Sequence, residues 1–184
     1  MNLKYLFFTV LSTILFLGCS AENDESSIVE SASYKLNKVN SSTKAVTRPF
    51  KSKASGEWFI VEPTDCDGLL QYSIIGNGNA THLGSFNIQG KMCTYPPDNL
   101  YFFTIKYIAA NGDELILESV DVYINEVGLF EGGVFECVGG TGRFSNSEGN
   151  IEVHEFLSVT EFDDTTGLPL AGTFSNMGAG TITF

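Results

Sequence analysis

The chain is 184 residues long, and its 22 Asp and Glu residues outnumber its 10 Lys and Arg residues, which gives a formal net charge of −12 at pH 7. The imbalance is concentrated from residue 56 onward, where three basic residues stand against eighteen acidic ones, a formal charge of −15. This composition argues against nucleic acid as a partner, because binding to nucleic acid needs a basic face.

The N-terminus has the pattern of a signal peptide. Lys4 precedes an apolar run, Leu6–Leu17, which is too short to span a bilayer comfortably and is followed by small residues. We therefore predict a signal peptide over residues 1–18. The tetrapeptide FLGC, which ends this segment at Cys19, resembles the lipobox of bacterial lipoproteins, in which the cysteine is lipidated.

The lipobox resemblance implies a chain that is tethered to a membrane through acyl chains on Cys19 and does not span it. It places the protein in the bacterial cell envelope, at the outer membrane, either facing the periplasm or exposed at the surface. A plain secretory signal with a chance cysteine is the alternative.

Residues 19–55 are rich in serine and poor in large apolar side chains, so they are predicted to be a flexible linker. Between residues 31 and 55 this linker carries basic residues and no acidic ones. The linker therefore either contacts anionic lipid headgroups or is a simple solvated tether. Residues 56–184 have the usual size of one compact domain.

The domain is predicted to be all-β. The segment 100–124 reads as a hairpin, with alternating apolar residues, a turn at Asn111-Gly112 and a β-bulge near Glu118-Ser119. Six further strands are predicted at 57–61, 69–75, 81–89, 133–138, 150–160 and 172–184. About eight strands of this spacing indicate a small antiparallel barrel or a sandwich, and a closed barrel removes the exposed sheet edges.

The glycine-rich stretch CVGGTGRFSNSEG, residues 137–149, has two interpretations. A phosphate-binding loop needs a helix after it. Here the following residues alternate like a strand, with Ile151, Val153, Leu157 and Val159 on one face, and the lysine of a Walker motif is missing. The glycines are therefore predicted to form a sharp corner between two strands.

Four segments, taken together and in order, resemble one family. GGTGRF with the later Gly149, GNGNATHLGSF (76–86), AANGDEL (109–115) and GAGTITF (178–184) are similar to segments of the allene oxide cyclase and dirigent superfamily of calycin-like β-barrels. The resemblance implies a barrel of about eight strands with an apolar interior. Plant members isomerise a fatty-acid epoxide or steer radical coupling, but no pocket residue of theirs matches this chain outside the glycine turn, so no catalytic residue is carried over.

Glu155 is the candidate catalytic or ligand-binding residue, because it shares strand parity with Ile151 and Val153 and is predicted to face an apolar interior. A carboxyl group there has a raised pKa and can serve as an acid or bind a polar ligand group. A bulge that turns Glu155 to solvent is the alternative. His82 is a second ligand-binding candidate at a barrel end, or else a structural residue that donates to a backbone carbonyl.

Cys137 is a further ligand-binding candidate, or else a buried small hydrophobic residue, because it lies in an apolar stretch. Arg143 is the last ligand-binding candidate, and it either clamps an anionic ligand or pairs with a carboxylate. Cys66 and Cys93 both lie beside turn residues and are predicted to form a disulfide, since an exported chain meets oxidising conditions. The acidic segment 161–167 reads as a hairpin turn rather than a calcium loop. No metal site and no cofactor are predicted.

These observations favour a lipid-anchored envelope protein whose barrel binds a small apolar ligand. The first alternative is an isomerase- or cyclase-like enzyme that acts on a lipid-derived substrate with Glu155 as its acid-base group. The second is a barrel filled with side chains, with a structural or surface-interaction role.

Overall fold

The computed structural model describes residues 45–95, 100–126 and 128–184. The predicted signal peptide, Cys19 and the linker as far as residue 44 lie outside these ranges. The described chain forms eight β-strands. In chain order, β1 to β8 are Thr47–Val61, Leu70–Ala80, Gly84–Tyr95, Leu100–Ala109, Glu114–Ile124, Phe130–Gly140, Glu148–Phe162 and Pro169–Thr183.

Each strand pairs antiparallel with the next along the chain, and β1 also pairs with β8, which closes the sheet into a barrel. The predicted all-β, eight-stranded antiparallel barrel is therefore confirmed. Closure gives the backbone groups of both terminal strands a partner, so that neither is left as an open edge. Among the described residues, no helix has the length and apolar character needed to cross a membrane.

The predicted hairpin is formed by β4 and β5. Phe103, Ile105 and Tyr107 point into the barrel and are buried, while their neighbours point outward. In β5 the pairing with β6 shifts between Ser119 and Asp121, so one residue is left over. This bulge lies next to the predicted position and turns Val120 outward, where 64% of its surface is exposed.

The first strand begins earlier than the sequence indicated. Residues 47–55 were predicted to belong to the flexible linker, whereas β1 begins at Thr47 and pairs there with the end of β8. Phe50, Ser52 and Ala54 alternate inward and are buried, and the two lysines between them are exposed. The alternation was hidden because two of its three inward residues are small.

The two ends of the barrel differ. One end, here called the closed end, carries the turns 81–83, 110–113 and 141–147, and the interior beneath it is filled. Phe86 and Tyr107 stack there with ring centroids 4.3 Å apart, and Leu115 and Phe144 are fully buried. The other end, here called the mouth, carries the described loop residues 62–69, 125–126, 128–129 and 163–168.

The glycine-rich stretch lies at the closed end and forms the corner between β6 and β7. Residues 141–147 separate the two strands, and the helix that they contain is the three-residue 3-10 helix Gly142–Phe144, which is too short to hold a phosphate. Gly140 has a φ of +158°, and a Cβ at this position would overlap the carbonyl oxygen of Glu114. The backbone itself therefore requires glycine at this corner.

Candidate functional site

A cavity of about 210 Å³ lies in the mouth half of the barrel. Its wall is mainly apolar, with side chains from seven of the eight strands and from two mouth loops. Six aromatic rings line it, those of Trp58, Tyr72, Tyr101, Phe103, Phe130 and Phe174. The aliphatic part of the wall comes from Ile74, Met92, Leu129, Leu157, Leu168 and Pro169.

On the neighbouring strands β1 and β8, two large aromatic residues of the wall each lie opposite a glycine. Trp58 lies opposite Gly172, and Gly56 lies opposite Phe174. A Cβ at Gly172 would overlap the indole ring, and a Cβ at Gly56 would come 2.8 Å from the ring of Phe174. The missing side chains let both rings lie close to the sheet, and Trp58 then meets Tyr72 edge to face at 5.6 Å.

Two tyrosines form hydrogen bonds to backbone carbonyl groups near the mouth. The hydroxyl of Tyr72 donates to the carbonyl oxygen of Pro169 at 2.8 Å, and that of Tyr101 donates to the carbonyl oxygen of Gly128. Burial raises the pKa of Tyr72 to about 12 and also raises that of Tyr101. Both phenols are therefore neutral donors near neutral pH, and they bind the start of β8 and the mouth loop at Gly128 beside the cavity.

Glu155 lies at the inner end of the cavity. It faces inward from β7, opposite Asn176 of β8, whose Nδ2 donates to Glu155 Oε2 at 3.0 Å. Burial raises the pKa of the Glu155 carboxyl group to about 7, although the hydrogen bond from Asn176 acts in the opposite direction. Both protonation states are therefore populated near neutral pH.

A second, smaller cavity of about 30 Å³ continues from Glu155 toward the closed end, between Ile105, Tyr107 and Asn176. This volume is large enough to hold a water molecule. Burial raises the pKa of Tyr107 to about 12, with the nearby Glu155 carboxylate adding to the shift. Glu155 thus lies between a roomy aromatic chamber and a narrow, mainly apolar recess.

The barrel resembles solved structures of dirigent proteins. It superposes on the pterocarpan synthase dirigent protein GePTS1 with a TM-score of 0.51 and 9% sequence identity, over 76% of this chain and 86% of that chain. The fold is that of the dirigent proteins. The pterocarpan synthase dirigent protein PsPTS1 is also similar, with a TM-score of 0.47 and 13% identity over 76% of this chain and 95% of that one.

No protein-family model matches the sequence, and no curated protein matches it either. The likeness to the dirigent proteins therefore concerns the fold alone. What the dirigent-type barrel of this chain can do has to be argued from its own residues.

Of the four candidate ligand-binding residues, Glu155 lines the cavity of this dirigent-type barrel and the other three do not. His82 lies in the turn 81–83 at the closed end, where its Nε2 donates to the carbonyl oxygen of Pro49 at 3.1 Å. This is the structural role weighed for it as the alternative. The prediction that His82 lies on a strand was wrong, because β3 begins only at Gly84. The φ of His82 is +68°, which is typical of a turn.

Arg143 and Cys137 also lie apart from the cavity. Arg143 Nε is 3.2 Å from Asp113 Oδ2, and its guanidinium group lies 4.9 Å from the ring centre of Phe144 at the closed end. Cys137 is a buried free thiol, and burial raises its pKa, so it is a poor nucleophile. The structure joins Cys66 and Cys93 in a disulfide beside the mouth, with Cα atoms 5.6 Å apart.

Sequence reasoning missed most of the wall. Trp58 and Tyr72 could have been found, because each alternates with smaller inward residues on a predicted strand. Asn176 could not have been found, because its role depends on the register that places it opposite Glu155.

The acidic segment 161–167 is a hairpin turn, as predicted. Asp163 accepts hydrogen bonds there from the backbone N–H groups of Thr165 and Thr166. Within residues 45–95, 100–126 and 128–184, no cluster of His, Cys, Asp and Glu is arranged to hold a metal ion.

Proposed function

We propose that the barrel is a binding module for a small, largely apolar molecule, which occupies the cavity and presents a polar group to Glu155. The observation that carries this proposal is an inward-facing carboxyl group at the inner end of an aromatic chamber of about 210 Å³. Apolar cavities of about 150 Å³ are known to bind benzene, so this one suits a single ring with a short substituent. The interior is filled at the closed end but not at the mouth, which disfavours the filled barrel.

Glu155 gives the cavity its chemical specificity. A carboxyl group in an apolar site is costly to ionise, which is why its pKa is raised. A ligand that supplies a hydrogen-bond partner to this group recovers part of that cost, whereas a purely apolar ligand does not. Binding at this site therefore favours a molecule with an apolar body and one polar end.

We further propose that Cys19 is lipidated and tethers the barrel to the bacterial outer membrane. The proposal rests on the signal-peptide pattern and the FLGC tetrapeptide. Labelling of expressing cells with radioactive palmitate tests it: the full chain should take up label, and Cys19→Ala should not. Equal labelling of both chains would contradict the anchor.

A second candidate function is an isomerase- or cyclase-like activity with Glu155 as the acid-base group. The observation in its favour is the pKa of about 7, because a group that is half protonated at working pH can both donate and accept a proton. Glu155→Gln separates the two functions. An enzyme should convert the molecule that it binds, and Glu155→Gln should abolish this conversion. A binding module should return its ligand chemically unchanged, and Glu155→Gln should alter only its affinity.

Native mass spectrometry of the full chain tests the binding proposal. We expect an additional mass that leaves on denaturation and identifies the ligand. Leu157→Trp should remove this mass because it places an indole ring in the cavity. Phe156→Trp is the matched control, since the neighbouring Phe156 points outward with 66% of its surface exposed. Retention of the ligand by Leu157→Trp would contradict the proposed site.

A further inference from the structure

The charge distribution around the cavity restricts the ligand further, provided that the proposed function is correct. The described mouth loops carry six acidic residues, namely Glu62, Asp65, Asp67, Glu126, Asp163 and Asp164. Lys91 lies among them and is 3.3 Å from Asp65. The other cations of the described chain lie toward the closed end, where Lys106 and Arg143 pair with Glu114 and Asp113.

This asymmetry acts on any charged molecule that approaches the cavity. Charge of one sign around a low-dielectric opening focuses the field there and raises the local concentration of ligands of opposite charge. The carboxylate of a fatty acid would be repelled first by the mouth and then by Glu155. A cation would be attracted by both.

The wall is also suited to a cation. Six aromatic rings surround the cavity, and an aromatic face attracts an ammonium group through its quadrupole, most strongly in a desolvated site. Glu155 is the only carboxyl group in the described cavity wall. Its Oε2 accepts a hydrogen bond from Asn176, whereas no hydrogen bond within the described chain occupies Oε1.

We propose that the ligand is an organic cation, a small protonated amine with an apolar or aromatic body, whose ammonium group pairs with Glu155 at the inner end of the cavity. The acidic mouth, the aromatic wall and the single inward carboxylate all favour this chemistry over a neutral alcohol and over an anionic lipid. An ammonium group donates a charge-assisted hydrogen bond to the carboxylate, which is stronger than the bond from a hydroxyl group.

The inference predicts a definite pH dependence. The amine needs ionised Glu155, and the pKa of this group in the empty cavity is about 7. Amine affinity should therefore rise from pH 5 to pH 8, as Glu155 gives up its proton. The phenols of Tyr72 and Tyr101 face the main cavity and that of Tyr107 faces the smaller one, and burial raises all three pKa values. The remaining wall residues of the described chain carry no group that titrates in this range.

Three probes of similar size and different charge test the inference: 2-phenylethylamine, 2-phenylethanol and 3-phenylpropanoate. Trp58 is the only tryptophan of the chain and lies in the cavity wall, so its fluorescence reports occupancy. Calorimetry supplies an independent affinity. At pH 8 the amine should bind about tenfold more tightly than the alcohol, because hydrogen bonds to charged groups are worth more than neutral ones. The carboxylate should bind most weakly.

Glu155→Gln should reduce the affinity for the amine to that for the alcohol and should leave the alcohol itself nearly unaffected. Glu161→Gln is the matched control, because Glu161 lies on the same strand with an exposed side chain. The double substitution Glu126→Gln and Asp164→Asn should slow association of the amine and weaken its salt dependence, as expected for rim charges.

The outcomes separate this inference from the proposed function. If the alcohol or the carboxylate binds as tightly as the amine, the inference is wrong and the cavity remains a binding site. If none of the three probes binds at millimolar concentration, the inference is also overturned. The mass of the natively purified chain then decides separately whether the cavity holds any ligand.

Discussion

Glu155→Gln should make the stability of this protein less dependent on pH. The folded barrel raises the pKa of Glu155 from 4.5 to about 7, so the native state prefers the protonated form. Below pH 4.5 both folded and unfolded chains hold the proton, and this group costs nothing. Between pH 4.5 and pH 7 the unfolded chain releases this proton while the folded chain keeps it, so stability falls over this range. Above about pH 7 the folded state carries a buried carboxylate, and the loss is complete.

The magnitude follows from the size of the shift. The two pKa values differ by about 2.5, and each pKa unit corresponds to 1.36 kcal/mol, so the loss of folding free energy is about 3 kcal/mol. Glutamine has the same shape, accepts the hydrogen bond from Asn176 and does not titrate. At pH 8 the Glu155→Gln chain should therefore be more stable than the wild type by up to about 3 kcal/mol, and near pH 4.5 the two should be similar.

Urea unfolding from pH 4.5 to pH 8 measures this difference at each pH. Groups that titrate elsewhere contribute equally to both chains and cancel. Glu161→Gln, on the exposed side of the same strand, should show a difference from the wild type that does not vary in this range. A constant difference for Glu155→Gln as well would refute an inward-facing Glu155 with a raised pKa.

Two predictions concern the scaffold. Reduction of the Cys66–Cys93 disulfide should lower the free energy of unfolding by about 3.5 kcal/mol, because the bond closes a loop of 27 residues, and unfolding in urea with and without reductant measures this. Gly140→Ala should cost more than about 3 kcal/mol, since the new Cβ would overlap the carbonyl oxygen of Glu114. Gly112→Ala, which also has a positive φ but open space around it, should cost about 1 kcal/mol; equal losses for the two glycines would contradict the close packing at Gly140.

Local patterns were sufficient to predict most of the fold. Alternation is a property of one strand, so the inward faces of β4 and β7, including the position of Glu155, could be predicted without knowledge of their neighbours. The pairing of β1 with β8 joins residues more than a hundred positions apart and leaves no local signal. The first half of β1 was missed because Ser52 and Ala54 are too small to mark an inward face.

The cavity was harder to predict than the fold. His82 was predicted to lie on a strand with Gly84 and Phe86, but the chain turns at 81–83, where no Asn-Gly signal marks the turn. That turn places His82 at the end opposite to the cavity. The partnership of Glu155 with Asn176 depends on register between two strands, which sequence alternation does not determine.

The central claim is that an inward carboxyl group receives the ligand, and NMR of the Glu155 side-chain carboxyl carbon tests it most directly. In the empty protein the titration midpoint should lie near 7. Saturation with 2-phenylethylamine should move this midpoint downward, because the bound ammonium group stabilises the carboxylate. A midpoint near 4.5 that does not change when a ligand fills the cavity would contradict the account.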